Sequence, residues 1–173
     1  MDNNFFAYLH RLELIAFFSG FPLLYTIVFF FAGTQQSGNN FKRTVVPLLP
    51  FAYALVGTCY LALQLKKLYP DYSIENITHI NQQPYLMIWG LLSILFWIPA
   101  PAKKTVLSLL HSLVFFFLLA IDLFSQLSAG TNKDAIRNDM RLYTVSLSLN
   151  LIAIAFLVLL SFLYNKCKKR LRS

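Results

Sequence analysis

Residues 105–127 read TVLSLLHSLVFFFLLAIDLFSQL, a run of 23 residues that contains no lysine or arginine. A helix needs about 20 consecutive apolar residues to cross the hydrocarbon core of a bilayer, so this run is long enough to span one. Its only acidic residue is Asp122. The run therefore predicts a lipid-embedded helix and raises the question of what a carboxylate does within it.

The whole chain has the composition of a membrane protein. Of its 173 residues, 57% are hydrophobic, 13% are charged and 17 are Phe, whereas soluble domains are about 45–50% apolar and about 25% charged. Four further apolar runs lie at 14–33, 45–64, 85–100 and 142–164. The sequence thus predicts an all-α polytopic helical membrane protein with about five transmembrane helices and short connectors, forming one domain over 1–173.

The third run, 85–100, is the shortest and leaves an alternative open. If it is a re-entrant segment, the protein has four spans. Against that reading, the run is among the most apolar in the chain, and a lipid-exposed re-entrant loop would leave its backbone groups unsatisfied. The sequence favours five spans, with four spans plus a re-entrant segment as the alternative.

Basic residues predict the orientation, because they accumulate on the cytoplasmic side. The segment 165–173 is a basic tail that contains Lys166, Lys168, Lys169, Arg170 and Arg172. It predicts a cytoplasmic C-terminus in the plasma or inner membrane. With five spans the N-terminus lies outside, and nine of the 15 basic residues are cytoplasmic; with four spans the number is ten.

The sequence carries no signature of an enzyme. No metal-binding or nucleophile motif is found, so no catalytic residue, metal site or cofactor is predicted. The net charge of +8 is explained by the topology signal and by attraction to anionic lipid, so no nucleic acid is expected as a partner. Cys59 and Cys167 are too few for a disulfide framework.

A polar stripe follows one face of the fourth span. His111 and Asp122 are 11 residues apart, almost three full helical turns, and Ser108 and Ser125 lie within the same narrow arc. Since about 16 Å of helix rise separates His111 from Asp122, the two cannot touch. The stripe is expected to face the bundle interior.

The partners of Asp122 must then come from other helices. Tyr143, Ser146 and Asn150 share one face of the fifth span. A second set of candidates, at the predicted outer end of the bundle, consists of His10, Arg11 and Glu13. The sequence predicts that Asp122 meets Ser146, Asn150 or Arg11 as a helix-to-helix clasp.

Three functions remain open from the sequence. The leading one is a non-enzymatic integral membrane module, a homo-oligomeric or partner-bound membrane subunit that could enclose a pore. The alternative is a small ion- or proton-coupled transporter that uses Asp122 and His111, because ionisable residues inside the membrane are functional candidates. An intramembrane lipid-modifying enzyme ranks third, for want of a catalytic cluster.

Overall fold

The computed structural model describes residues 12–34, 44–70, 84–128 and 133–170, and these residues are helical with no strand among them. The helices are α1 (residues 12–18), α2 (Phe21–Thr34), α3 (Leu49–Leu68), α4 (Pro84–Leu91), α5 (Pro99–Ala102), α6 (Thr105–Ser128) and α7 (Lys133–Arg170). Two 3₁₀ helices, Val46–Leu48 and Leu92–Trp97, precede α3 and follow α4.

Four helical stretches of the described chain are long and apolar enough to cross a membrane. They cover Leu12–Phe30, Val46–Leu68, Thr105–Ser128 and Ile136–Lys168. The all-helical membrane fold expected from the sequence is therefore confirmed at this level. The remaining predicted span, 85–100, corresponds to a shorter apolar helix, Pro84–Trp97.

Contacts along the first span give the direction of its neighbours. Glu13 pairs with Lys67, whereas Phe21 packs on Tyr53 with ring centroids 4.5 Å apart. Helix α3 thus runs antiparallel to the first span, so that the end of α3 lies beside the start of α1.

Helix α6 is also antiparallel to the first span. Phe18 stacks on Phe115 with ring centroids 4.8 Å apart, and further along the span Tyr25 donates a hydrogen bond to the first residue of α6, Thr105, at 3.4 Å. Helices α3 and α6 therefore point the same way, and the chain between them has to return across the bundle.

The segment Pro84–Trp97 makes this return. Its Gly90 lies against Tyr60, whereas its Phe96 packs on Tyr53, which is nearer the start of α3. The segment is thus antiparallel to α3. Because a 3₁₀ helix rises about 2.0 Å per residue against 1.5 Å for an α-helix, its 14 residues span about 24 Å, a few ångströms more than an all-α segment would.

Small residues allow this segment to approach α3 closely. Gly57 and Ser93 are both buried, and a Cβ on Gly57 would lie 2.0 Å from the Ser93 Oγ. Small residues at helix contacts are a common feature of membrane bundles, where close packing of backbones replaces the hydrophobic driving force. Trp97 adds a hydrogen bond from its indole N–H to the Thr58 hydroxyl at 2.9 Å.

The centre of the bundle is aromatic. Phe18 contacts the rings of Tyr53 and Tyr60 in edge-to-face geometry at centroid distances of 5.6 and 5.4 Å. All three side chains are fully buried, as is Phe115. This cluster joins the first span, α3 and α6, and aromatic pairs of this geometry add to the gain from burial.

Two predicted spans differ from the observed helices. The first, 14–33, is interrupted at residues 19–20, where a glycine and a proline two positions later break the helix. The last, 142–164, is part of α7, which continues to Arg170 and includes the predicted tail residues Lys166 and Lys168. Polar sequence at both ends of α7 is still favourable for a helix, so hydropathy alone underestimates its length.

Candidate functional site

The break in the first span lies near its middle and exposes backbone groups to the bundle interior. Residues 19–20 form a turn between α1 and α2. Pro22 has no N–H, so the carbonyl of Phe18 lacks the donor that a regular helix would supply four residues later. Buried backbone groups of this kind need partners from elsewhere.

Helix α7 supplies partners for two of these groups. The backbone N–H of Gly20 donates to the Ser146 Oγ at 2.9 Å, and the Asn150 Nδ2 donates to the Phe17 carbonyl at 3.0 Å. Both α7 side chains are buried, Ser146 fully and Asn150 to 1% exposure. The two predicted stripe residues of the last span thus close the break in the first one.

Gly20 allows the approach that these hydrogen bonds need. A Cβ at this position would lie 2.5 Å from the backbone nitrogen of Leu147 and 2.7 Å from its Cα. The α7 backbone therefore packs directly on the break. Asn150 also donates to the Ser146 carbonyl at 2.8 Å, which fixes its amide, while its Oδ1 is buried without a hydrogen-bond partner among the described residues.

His111 lies in an aromatic cage on the other side of the bundle. The Trp89 ring is stacked on the imidazole at 4.8 Å with an angle of 5° between planes, and Tyr53, Phe96 and Phe115 surround the edges. The Tyr53 hydroxyl is 2.7 Å from the His111 Nδ1. If Tyr53 donates this hydrogen bond, the imidazole proton lies on Nε2, which is buried without a partner in the described part of the chain.

A groove of about 410 Å³ lies beside this cage, between α6 and the segment Pro84–Trp97. Besides His111 and Trp89, its lining consists of apolar side chains and one proline, namely Leu92, Leu95, Phe96, Ile98, Pro101, Leu107 and Leu110. A groove with this lining suits hydrocarbon, and at the surface of a membrane bundle lipid chains fill such a space.

The other members of the α6 stripe differ in burial. Ser108 is fully buried and donates to the Thr105 carbonyl of its own helix at 2.7 Å, whereas Ser125 is exposed. Ser112, which the sequence reasoning missed, is also fully buried and donates to the Leu109 carbonyl at 2.8 Å. The hydroxyls of Ser108 and Ser112 thus donate to backbone carbonyls of α6 itself and not to another helix.

Asp122 is half-buried on α6 and is engaged in an interaction of its own. The hydrogen bonds of Ser146 and Asn150 within the described residues go to the break in the first span and to α7 itself. The structure therefore does not join Asp122 to these two residues. Tyr143 packs against the ring of Phe116 at a centroid distance of 6.4 Å.

One interhelical polar contact near Asp122 was not expected. Gln126, one turn further along α6, donates from Nε2 to the Asp139 Oδ2 of α7 at 2.7 Å. Asp139 is buried to 2% exposure although it precedes the predicted span. The position of Asp139 within a polar stretch gave no signal for this contact, because only the length of α7 brings it against α6.

The start of α1 carries an ion pair. Glu13 accepts from the Lys67 ammonium, and both side chains are partly exposed. Tyr60 and Gln64 precede Lys67 on the same face of α3, and both are buried. The Tyr60 hydroxyl and the Gln64 Nε2 have no hydrogen-bond partner among the described residues. The ion pair thus joins the start of α1 to the end of α3.

The remaining predicted residues lie at the ends of the chain. Lys166 and Lys168 are exposed at the end of α7. His10, Arg11 and Arg172 lie outside the described residues, as do the side chains of Lys169 and Arg170.

The polar side chains of the described residues lie in several places in the bundle. The four ranges of the described chain contain no cluster of three His, Cys, Asp or Glu residues that could hold a metal ion. Polar contacts between elements of the described chain join residues in pairs, among them Gly20–Ser146, Phe17–Asn150, Tyr53–His111, Gln126–Asp139, Glu13–Lys67, Tyr25–Thr105 and Trp97–Thr58. Chemically, these pairs can hold helices in register.

Comparison with known proteins gives no relative. No family model, no curated protein and no solved structure matches this chain.

Proposed function

We propose that this chain is a non-enzymatic integral membrane module that acts as a membrane subunit by associating with a second copy of itself. The observation that supports this best is the use of the interior polar residues. Interior polar residues of one helix bond to groups of a neighbouring helix and thereby hold the bundle together. We therefore look for the function on the outer surface of the bundle.

The surface that supports association is formed by α6 and α7. Only 22% of the apolar 18-residue stretch of each of these two helices is buried. The corresponding share is 56% in the first span and 44% in Val46–Leu68. On α6 the exposed face includes Phe117, Ile121 and Phe124, the last with 73% of its surface accessible. Packing a second copy on this face would bring large apolar side chains together without moving a polar contact.

We extend the proposal to the topology. The direction of Pro84–Trp97, antiparallel to α3, supports five crossings with a short third one, and α5 follows it at the far side. Lys103, Lys104, Lys166 and Lys168 then share the cytoplasmic side, and Arg137 and Arg141 lie outside. The bias of Lys and Arg agrees with this orientation.

Cysteine crosslinking in native membranes tests the association. In a background without Cys59 and Cys167, Phe124→Cys on α6 is expected to give a disulfide-linked dimer on mild oxidation. Leu65→Cys, also exposed but on α3, is the matched control and is expected to stay monomeric. Equal crosslinking of both variants, or a strict monomer by native mass spectrometry, would contradict the self-associating module.

Labelling with a membrane-impermeant maleimide tests the topology. With five crossings, Lys66→Cys and Lys103→Cys lie on opposite sides of the membrane, and only the former reacts in intact cells. With four spans and a re-entrant segment, both cysteines lie on the same side and react alike. Permeabilised cells provide the control that both cysteines are reactive.

The transporter alternative has less support. His111 is held by Tyr53 and by a stacked Trp89, and Asp122 is near the far end of the same helix. Proteoliposome ion flux with wild type and Asp122→Asn distinguishes the two. Flux that Asp122→Asn abolishes while the protein still folds would favour the carrier or a pore over the module.

A further inference from the structure

We propose that the break in the first span and Asn150 of α7 together form a binding site for a monovalent alkali cation of the size of sodium. This inference is independent of self-association. It concerns the Gly20–Pro22 break, the two α7 side chains that close it, and the carbonyl oxygen of the Asn150 side chain.

The first observation is the unsatisfied Asn150 oxygen. Asn150 is 1% exposed, and its Nδ2 is fully used, with hydrogen bonds to the Phe17 and Ser146 carbonyls. These two bonds fix the amide orientation, so Oδ1 cannot take the place of the nitrogen. Oδ1 has no partner among the described residues. A buried acceptor without a donor is costly, and a bound ion or water is one way in which proteins satisfy such an atom.

The second observation is the supply of backbone oxygens beside it. Helix α1 ends at residue 18, beside the break, and a helix C-terminus carries a partial negative charge. Phe18 has lost its usual donor because Pro22 has no N–H. The Phe17 carbonyl and the Ser146 hydroxyl each have one hydrogen bond and retain a lone pair.

The third observation is the depth of the site. Gly20 is near the middle of the apolar stretch Leu12–Phe30, and Asn150 is near the middle of Ile136–Lys168. Interrupted membrane helices place ion sites at this depth, where unwound backbone carbonyls and half-helix C-termini coordinate sodium. At this depth the α7 backbone packs directly against Gly20, the residue whose N–H bonds Ser146.

The chemistry of the oxygens selects the ion. Divalent calcium and magnesium are usually bound by carboxylates, and transition metals by His or Cys. The described chain has no cluster of three such residues. Neutral amide, hydroxyl and carbonyl oxygens instead suit a singly charged hard cation, whose desolvation costs less than that of a divalent ion.

The test measures the melting temperature of the purified full-length protein in detergent, in sodium, potassium or choline chloride at one ionic strength. Binding of radioactive sodium is measured directly on the same samples. Sodium at ten times its dissociation constant is expected to raise the melting temperature by about 3–6 °C relative to choline. Choline is too large for the site and controls for ionic strength.

Two variants of Asn150 and one control variant test whether Asn150 binds the sodium ion. Asn150→Leu is expected to abolish the sodium response. Asn150→Asp replaces the Nδ2 donor with a second oxygen and so loses the hydrogen bonds to the Phe17 and Ser146 carbonyls, which makes the salt-free protein less stable. Its added negative charge should raise the apparent sodium affinity at least tenfold. Ser148→Ala, whose hydroxyl is exposed and bonds only to the Thr144 carbonyl of its own helix, should respond like wild type.

Direct binding of radioactive sodium to the wild type keeps the proposal testable if Asn150→Leu does not fold, because a purely structural asparagine would leave the wild type without bound sodium. A melting temperature of wild type that is the same in all three salts, with no bound sodium, would overturn the inference. A water molecule in the same place would give that result. A sodium response that persists in Asn150→Leu would overturn it as well.

Discussion

Replacing Gly20 with alanine is expected to be the most damaging single-methyl change in the bundle. The added Cβ would lie 2.5 Å from the Leu147 nitrogen and 2.7 Å from the carbonyl carbon of Ser146. Both are backbone atoms, so no side-chain rotation relieves the contact, and α7 must move away by about 1 Å to restore a normal separation.

The cost follows from two effects. Overpacking of a well-packed interior costs about 1–3 kcal/mol. Moving α7 also weakens the hydrogen bonds from Gly20 to Ser146 and from Asn150 to Phe17, at about 0.6 kcal/mol each for interhelical bonds in membranes. The expected loss in free energy of unfolding is therefore about 2–4 kcal/mol.

Unfolding by SDS titration from a mild detergent, followed by circular dichroism, measures this loss. Gly90→Ala is the matched control: its nearest neighbours are side-chain atoms, Leu14 Cδ2 at 2.9 Å and ring atoms of Phe18 and Tyr60 at 3.2 Å. Small shifts of these side chains relieve the contact without moving a helix, so the expected loss is about 1 kcal/mol. Gly57→Ala meets the Ser93 hydroxyl and should be rescued by Ser93→Gly. Gly20→Ala with wild-type stability would refute the close packing of α7 on the break.

Three further changes are predicted to act locally. Tyr53→Phe should lower the free energy of unfolding by about 1–3 kcal/mol, because it leaves His111 Nδ1 buried without its partner. His111→Phe should then cost less in the Tyr53→Phe background than in wild type, and a double-mutant cycle measures that difference. Glu13→Gln should cost less than about 1 kcal/mol, since Glu13 and Lys67 are 27% and 30% exposed, and the loss should vanish in unfolding experiments at high salt. Trp97→Phe removes an indole N–H that donates to α3 and should lower the free energy of SDS unfolding by about 0.6 kcal/mol, whereas an unchanged value would mean that the hydrogen bond contributes nothing.

Hydropathy predicted the helical membrane class because long apolar runs have no other stable environment. Pro22 lies in the first apolar run, and a proline inside a membrane helix frees a carbonyl that neighbouring groups must satisfy. The carbonyl freed by Pro22 is that of Phe18, whereas Asn150 donates to the carbonyl of the preceding residue, Phe17. The sequence could identify the need for a partner but not the partner.

The pairings of the polar residues could not be read from spacing. Asp122 and Ser146 share a predicted depth, yet the α7 face that carries Ser146 turns toward Gly20 because only a glycine admits the α7 backbone so closely. Tyr53 lies in an apolar run and gave no sign that it would contact His111. The 3₁₀ geometry of Leu92–Trp97 likewise had no signal in the sequence, and neither did the close approach of its Ser93 to Gly57.

The length of α7 has a mechanical consequence. Its 38 residues form a rod of about 57 Å, nearly twice the thickness of a hydrocarbon core of about 30 Å. Asn150 lies near the centre of the rod, about 30 Å from Arg170, so a rotation of 5° about Asn150 would swing the C-terminal end through about 2.6 Å. A force applied to the C-terminal end of α7 would therefore be transmitted, by rotation about Asn150, to the break in the first span.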